Sequence, residues 1–172
     1  MESPKELKKE MYHTQEKREM ALTEPIICVR SDAWLGEAYY FWYDIIDAKE
    51  WGHNSKRKTG AFDVYKSDIG SENILDTVFN EDHYLFWLGE IEKVSKFLTK
   101  KTKRKPSLKE INQYFKERAT WDEVDGIMFQ DIPKSETKSL VREFYYRKRI
   151  QLAVYNVKII NTFVHVYSAI VV

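Results

Sequence analysis

Three well-separated segments of the chain carry the side chains whose types could bind a ligand and act on it. Residues 11–14 read Met-Tyr-His-Thr, residues 35–42 read Leu-Gly-Glu-Ala-Tyr-Tyr-Phe-Trp, and residues 149–155 read Arg-Ile-Gln-Leu-Ala-Val-Tyr. Histidine and glutamine supply hydrogen bonds, whereas tyrosine and tryptophan supply flat apolar faces. The chain contains 5 Trp, 11 Tyr and 9 Phe. Most of these rings serve to pack a core, but the surplus also suits a protein that binds planar rings.

The sequence lacks the motifs of several other kinds of functional site. There is no glycine-rich phosphate-binding loop and no GxSxG nucleophile motif. Because no two of the histidines have the helical spacing of a metal-ligand pair, no metal site is predicted; they are His13, His53, His83 and His165. A single cysteine, Cys28, excludes an internal disulfide. Its neighbours in residues 25–29 predict a buried strand and an inert, packed thiol.

Length and charge favour one globular domain, residues 1–172, with a polar head at residues 1–10. The net charge of +1 provides no long-range attraction to nucleic acid or membrane. No apolar run reaches the roughly 18 residues of a membrane span, and no secretory signal is evident, so we expect a cytoplasmic protein without a membrane partner. Residues 100–105 (KKTKRK) are either a solvated loop or a phosphate-contacting patch.

The pattern of apolar residues predicts strands near both ends of the chain and helices between them. Residues 84–98 and 107–118 have helical periodicity and form a helical segment at 83–118, and residues 44–51 predict a short helix that Gly52 ends. Ser107 and Glu110 form a capping box. Strands are predicted at residues 12–14, 26–29, 39–43, 62–69, 126–130, 144–147, 150–155 and 159–166. This order is typical of the α+β class.

In this order, the three segments together with residues 47–51 (Asp-Ala-Lys-Glu-Trp) resemble the His–Tyr–Glu signature of diphtheria-toxin-like and poly(ADP-ribose)-polymerase-like ADP-ribosyltransferases. In that family a first strand carries the His, a second carries Gly-x-Gly-x-Tyr-Phe and leads into a helix with another aromatic residue, and a late strand carries the Glu. The resemblance implies two packed, mainly antiparallel sheets that form an NAD cleft, with a helical insertion. It also implies that NAD is a substrate.

The resemblance assigns a role to five positions. His13 matches the family histidine, which hydrogen-bonds the adenosine ribose, and the backbone at Thr14 would hold the nicotinamide amide. Tyr40 matches the tyrosine that stacks on nicotinamide, and Trp51 lies where the family has its second stacking ring. Gln151 stands at the position of the catalytic glutamate. Each of these residues also has a plain structural interpretation, in a core or on a strand surface.

The residue at position 151 bears directly on catalysis. Cleavage of the N-glycosidic bond of NAD builds positive charge on the ribose, which a carboxylate usually stabilises. A glutamine can hydrogen-bond a ribose hydroxyl but supplies no charge. Glu143 or Asp44 are candidate substitutes. Thr14 and Ala38 also replace family glycines.

The function expected from the resemblance is mono-ADP-ribosylation of a protein or nucleic-acid acceptor. The small size resembles toxin-like effectors of bacteria or phages, for which a neutralising partner protein is possible. Two alternatives are a catalytically inactive transferase fold that serves as a binding module and an NAD glycohydrolase, in which water is the acceptor.

Overall fold

A computed structural model describes residues 8–56, 58–70, 72–131 and 148–171. Within them it contains seven strands, three α-helices and one 3-10 helix. The strands are β1 (Lys8–Glu16), β2 (Tyr39–Trp42), β3 (Ala61–Gly70), β4 (Ile74–Asp76), β5 (Gly126–Asp131), β6 (Arg149–Val154) and β7 (Val164–Ile170). The helices are α1 (Ile45–Ser55), α2 (Glu81–Thr102) and α3 (Leu108–Glu117), and the 3-10 turn covers Val157–Ile159.

The described strands form one seven-stranded sheet in the order β4-β5-β6-β2-β1-β3-β7. β4 and β5 are parallel, and the other described pairs are antiparallel. The mainly antiparallel sheet with helices is therefore confirmed as a mixed α/β fold. The two separate packed sheets are not observed among these strands, because β2 pairs with β6 on one side and β1 on the other.

The sheet has a helical face and an opposite face. On the helical face, α1 covers a cluster around Trp42 and Phe62, while α2 and α3 cover a cluster around Ile127 and Ala153. On the opposite face, a third buried cluster packs beneath the connection from β6 to β7; it contains Met11, Phe41, Ile69, Met128 and Leu152. The strands in the middle of the sheet are thus buried on both sides, as their dense apolar sequences require.

Helix α2 follows the predicted apolar stripe. Val94 is buried, and Trp87, Ile91 and Leu98 pack against the same core cluster, as their spacing predicted. The helix is longer than predicted, because the Asn80 side chain caps its start by accepting from the His83 amide. Its C-cap residue has left-handed backbone geometry and its last turn is basic, an arrangement that complements the helix dipole.

The capping box of α3 is confirmed. The Ser107 hydroxyl accepts from the Glu110 amide, and the Glu110 carboxylate accepts from the Ser107 amide at 2.8 Å. The Arg104 guanidinium also binds Glu110 and lowers the pKa of that carboxyl to about 2. Ile111 and Phe115 are buried against the sheet. This helix boundary could be predicted from the sequence because the residues of the capping box are only three positions apart.

The predicted end of the helix after β2 is wrong. Gly52 lies inside α1, which continues to Ser55. A β-carbon at position 52 would lie 2.3 Å from the ring of Phe62. This glycine therefore allows the helix to approach β3 closely and does not terminate it, a distinction that requires knowledge of the residue packed against it.

Two predicted strands differ from the structure. Residues 26–29 contribute one bridge, Cys28 to Ala38, and Ile27 and Val29 are 41% and 64% exposed, so the buried strand is wrong. Cys28 is a free, half-buried thiol. The strand predicted at 159–166 is displaced: it corresponds to β7, which begins at Val164 and continues to Ile170. A 3-10 turn at Val157–Ile159 precedes it, and the Asn156 side chain caps this turn by accepting from the Lys158 amide. The strand predicted at 144–147 lies outside the described residues.

None of the helices in the described part of the chain combines the length and apolar character that crossing a bilayer requires.

Substitution of Gly52 by Ala tests the close approach of α1. We expect a loss of unfolding free energy of roughly 1–3 kcal/mol from overpacking against Phe62, partly offset by the better helix propensity of alanine. Gly89→Ala in α2 is the matched control, since its added β-carbon meets no atom within 4 Å. That variant should gain about 0.5–1 kcal/mol. Urea denaturation of both proteins measures the difference, and equal effects would contradict the packing argument.

Candidate functional site

The pairing of β2 with β6 brings two of the predicted site residues to the same face. Trp42 lies directly opposite Gln151, and Tyr40 lies opposite Ala153. Side chains of directly opposed residues point to the same side of a sheet, as do those two positions apart. Tyr40, Trp42 and Gln151 therefore share the helical face, and the side chains of Tyr40 and Gln151 are half-buried there.

Helix α1 adds Trp51 to this face. The helix begins directly after β2, where the Asp44 carboxylate accepts from the Ile46 amide at 2.7 Å. The Thr14 hydroxyl donates to the Ala48 carbonyl at 2.7 Å and ties the helix to β1. The Trp51 ring lies 5.7 Å from the Trp42 ring, centroid to centroid. Trp42, which the sequence analysis did not single out, is thus the ring that contacts Trp51.

The Tyr40 ring is anchored at both ends. Its hydroxyl donates to the Gly36 carbonyl at 2.8 Å, and its ring packs against the core cluster that contains Leu35 and Ala153. Burial raises the pKa of the Tyr40 phenol, so the hydroxyl stays protonated and acts as a donor. A rigid, half-exposed ring of this kind can contact a ligand without losing side-chain freedom on binding.

A charged pair lies beside Gln151. Arg149 opposes Asp131 across the β5–β6 ladder, and the two form an ion pair whose side chains are 15% and 13% exposed. The Arg149 guanidinium lies 4.8 Å from the Trp42 ring centroid, and its Nε has no hydrogen-bond acceptor among the described residues. Neither residue was predicted as part of the site, although Arg149 is two positions from Gln151 and strand alternation places both on one face.

His13 is not brought together with the other predicted site residues. Its ring contacts Phe41 and Phe163, at centroid distances of 5.4 and 5.8 Å, and is therefore on the opposite face. Its Nδ1 lies 2.9 Å from the Tyr40 carbonyl oxygen. Since a carbonyl can only accept, Nδ1 carries the proton. The Nε2 atom is buried without a partner in the part of the chain that the structure describes.

The hydrogen bond from His13 compensates for a gap in the sheet. β1 and β2 are in register at one pair, Tyr12 with Trp42. Next to that pair, the imidazole N–H donates to the Tyr40 carbonyl and so links the two strands where they are no longer in register. Burial lowers the pKa of His13 to about 4, so the ring is neutral at neutral pH and can keep this role. His13 thereby positions the backbone that carries Tyr40.

Of the remaining predicted site residues, Thr14 and Asp44 both make contacts with α1. The hydroxyl of Thr14 is engaged with α1, as described above, and the residue is 7% exposed. Asp44 is the N-cap of α1. Glu143 lies outside the described residues. Within the described ranges, no three His, Cys, Asp or Glu side chains are grouped so that they could hold a metal ion.

No family model, no curated protein and no solved structure matches this chain.

The burial of His13 predicts a pH-dependent stability. The unfolded chain protonates this ring near pH 6.5, whereas the folded chain does so near pH 4. Between these two pH values the unfolded chain binds a proton that the folded chain does not, so protonation stabilises the unfolded state. The free energy of unfolding should therefore fall by roughly 3 kcal/mol as the pH drops through this window.

The non-titrating variant His13→Asn isolates this contribution. Its side-chain amide retains an N–H donor for the Tyr40 carbonyl. Urea denaturation followed by tryptophan fluorescence should show that the wild-type protein loses more stability than the variant between pH 7 and pH 4. Parallel pH profiles for the two proteins would show that His13 does not have the depressed pKa.

Proposed function

We propose that this chain is an NAD-dependent mono-ADP-ribosyltransferase that transfers ADP-ribose to a macromolecular acceptor. The observation that carries the proposal is the register of β2 and β6, which sets the Tyr40 strand beside the Gln151 strand with both side chains on the helical face. Trp51 reaches the same face from the helix that follows β2. These are the relations that the family signature requires between its stacking rings and its late strand.

The order of strands supports an ADP-ribosyltransferase-like fold. The strands with the three signature segments, β1, β2 and β6, are consecutive neighbours in the sheet although β6 is distant in sequence. The sparse β1–β2 pairing beside Tyr40 supplies a discontinuity in the sheet at the place where the family fold opens a cleft.

Trp51, packed on the buried Trp42, suits the nicotinamide ring of NAD. The pyridinium is a planar cation, and a planar cation over an aromatic face contributes about 0.5–2 kcal/mol. Trp42 itself is 4% exposed and is enclosed by the Trp51 ring at 5.7 Å and the Arg149 guanidinium at 4.8 Å, so it supports Trp51 and has no face open to a ligand. In the proposal, the half-buried rings of Tyr40 and Trp51 hold the nicotinamide.

In the proposed reaction the bond between ribose C1′ and the nicotinamide nitrogen breaks, and its electron pair leaves with neutral nicotinamide. A lone pair of the acceptor forms the new bond to C1′, and the acceptor's proton passes to solvent. Positive charge develops on the ribose in the transition state, so a nearby negative charge accelerates the step. The amide of Gln151 orients the ribose through hydrogen bonds but cannot provide that charge.

Asp131 is the carboxylate that we propose for this role. It points to the same face as Gln151 and lies diagonally across the β5–β6 ladder, where Cα atoms are roughly 7–8 Å apart. Its carboxylate forms an ion pair with the Arg149 guanidinium. His13, which faces the other side of the sheet, acts in this proposal by fixing the Tyr40 backbone and not by contacting the adenosine ribose.

A second candidate function is a catalytically inactive NAD-binding or interaction module. The neutral Gln151 and the internal hydrogen bond of the Tyr40 hydroxyl favour it. Incubation with NAD and cell extract separates the possibilities by chromatography and mass spectrometry. Nicotinamide release with ADP-ribose added to protein or nucleic acid supports the transferase. Release alone indicates a glycohydrolase, and neither product indicates the inactive module.

Two substitutions test the source of negative charge. Gln151→Glu should raise the rate of nicotinamide release, because it adds a carboxylate beside the ribose. Asp131→Asn should lower the rate by roughly 10²–10³-fold, the usual effect of removing one electrostatic group. If Asp131→Asn leaves the rate unchanged while Gln151→Glu raises it, Asp131 has no catalytic role.

Tyr40→Ala tests the binding ring, with Tyr40→Phe as its matched control. The alanine variant should weaken NAD binding at least tenfold, the equivalent of about 1.4 kcal/mol, as measured by isothermal titration. The phenylalanine variant keeps the ring and should bind nearly as well as the wild-type protein. Equal affinities for all three proteins would remove Tyr40 from the site.

A further inference from the structure

Positive charge is concentrated in one short stretch of the chain. Residues 93–118 contain ten Lys or Arg and two Asp or Glu, a net charge of +8, although the whole chain carries +1. This stretch comprises the second half of α2, the connecting segment and α3. The protein is therefore strongly polarised, and the basic surface lies at one corner of the helical layer.

Most of this charge is not neutralised locally. Arg104 pairs with Glu110, Lys93 with Glu90, and Lys96 with Glu92. Glu117 accepts from Gln113. The remaining basic side chains at the end of α2 are exposed and have no ion-pair partner within the described ranges; they are Lys100, Lys101, Lys103 and Lys105. The dipole of α2 accounts for a basic last turn but not for the two lysines beyond it.

A groove of about 310 Å³ opens between α2 and α3 beside these lysines. Its walls include the rings of Phe97 and Tyr114, the cations of Lys101, Arg104 and Arg118, and the carboxylates of Glu110 and Glu117. The Phe97 and Tyr114 rings are 5.7 Å apart, and Phe97 is 48% exposed. The Arg118 guanidinium lies 4.9 Å from the Tyr114 ring centroid. The groove thus combines flat rings with cations at its rim.

We propose that this groove and the lysines beside it bind single-stranded nucleic acid. An unpaired base has an open face that can stack on Phe97, while Lys101, Lys103 and Lys105 contact the phosphates of the adjoining nucleotides. A duplex conceals its base faces and cannot use the ring. An exposed aromatic residue flanked by unpaired lysines is the combination that single strands require.

The packing of α3 argues against an anionic membrane as the partner. A helix that inserts into a membrane surface presents an apolar face to the lipid. In α3 that face, with Ile111 and Phe115, is buried against the sheet. The lysines are left beside a narrow groove and not beside an open apolar stripe.

This binding site is separate from the proposed NAD site and does not rest on it. The groove lies between α2 and α3, whereas Trp51 is on α1 and packs on Trp42 of β2. Binding can be measured without NAD, so failure of the transferase proposal and failure of this one are distinguishable. If both hold, the groove identifies a nucleic acid as the acceptor class.

Fluorescence anisotropy with labelled single-stranded DNA and RNA of mixed sequence tests the proposal, with duplex DNA and phosphatidylserine vesicles as competitors. Three or four phosphate contacts predict a roughly 20- to 50-fold loss of affinity between about 50 and 200 mM salt. Unlabelled single strands should displace the labelled strand from the protein, and the vesicles should not displace it. Displacement by vesicles alone, or tighter binding of the duplex, would overturn the proposal.

Variants separate the groove from general electrostatic attraction. Lys101→Glu/Lys103→Glu/Lys105→Glu should weaken binding at least tenfold. Lys17→Glu/Arg18→Glu/Lys58→Glu, in exposed loops near α1, changes the charge equally and should have little effect. Phe97→Leu keeps an apolar side chain but removes the flat face, and it should lower affinity roughly fivefold or more. Equal losses in the two charge-reversal variants, or an unaffected Phe97→Leu, would refute the site.

Discussion

The pairing of β2 with β6 is the interaction on which the rest of the molecule depends. β2 is four residues long and lies in the middle of the sheet, yet it joins the β4–β5–β6 half to the β1–β3–β7 half. Four consecutive residue pairs link it to β6, against one pair with β1. This register determines which side chains of β2 and β6 lie side by side on the helical face, Trp42 and Gln151 among them.

The same register imposes a constraint on the candidate site. Because strand side chains alternate between faces, Tyr40 and His13 cannot both reach one cleft when Tyr12 is in register with Trp42. The chain uses His13 instead as a hydrogen-bond donor to the Tyr40 carbonyl. His13, which the sequence predicts as a ligand contact, thus has a structural role: it fixes the Tyr40 backbone from the opposite face of the sheet.

The helical layer divides the molecule into an aromatic region and a basic region. The Trp42 and Trp51 rings and the buried Arg149–Asp131 ion pair lie on the same face as Gln151, whereas cations and two aromatic rings line a groove at the α2–α3 corner. The first arrangement suits a substrate with a planar cation, and the second suits a polyanion with open bases. The near-zero net charge of the chain conceals this polarity.

The amino-acid sequence by itself determined the features that depend on near neighbours. The capping box of Ser107 and Glu110, the apolar stripe of α2 and the strand around Tyr40 are set by residues within a few positions of one another, so they could be predicted. Only the tertiary structure decided the place of Gly52 against Phe62, the opposite orientation of His13, and the meeting of Asp131 and Arg149 beside Gln151. Each of these depends on strand register or helix packing between distant segments, which local propensities do not encode.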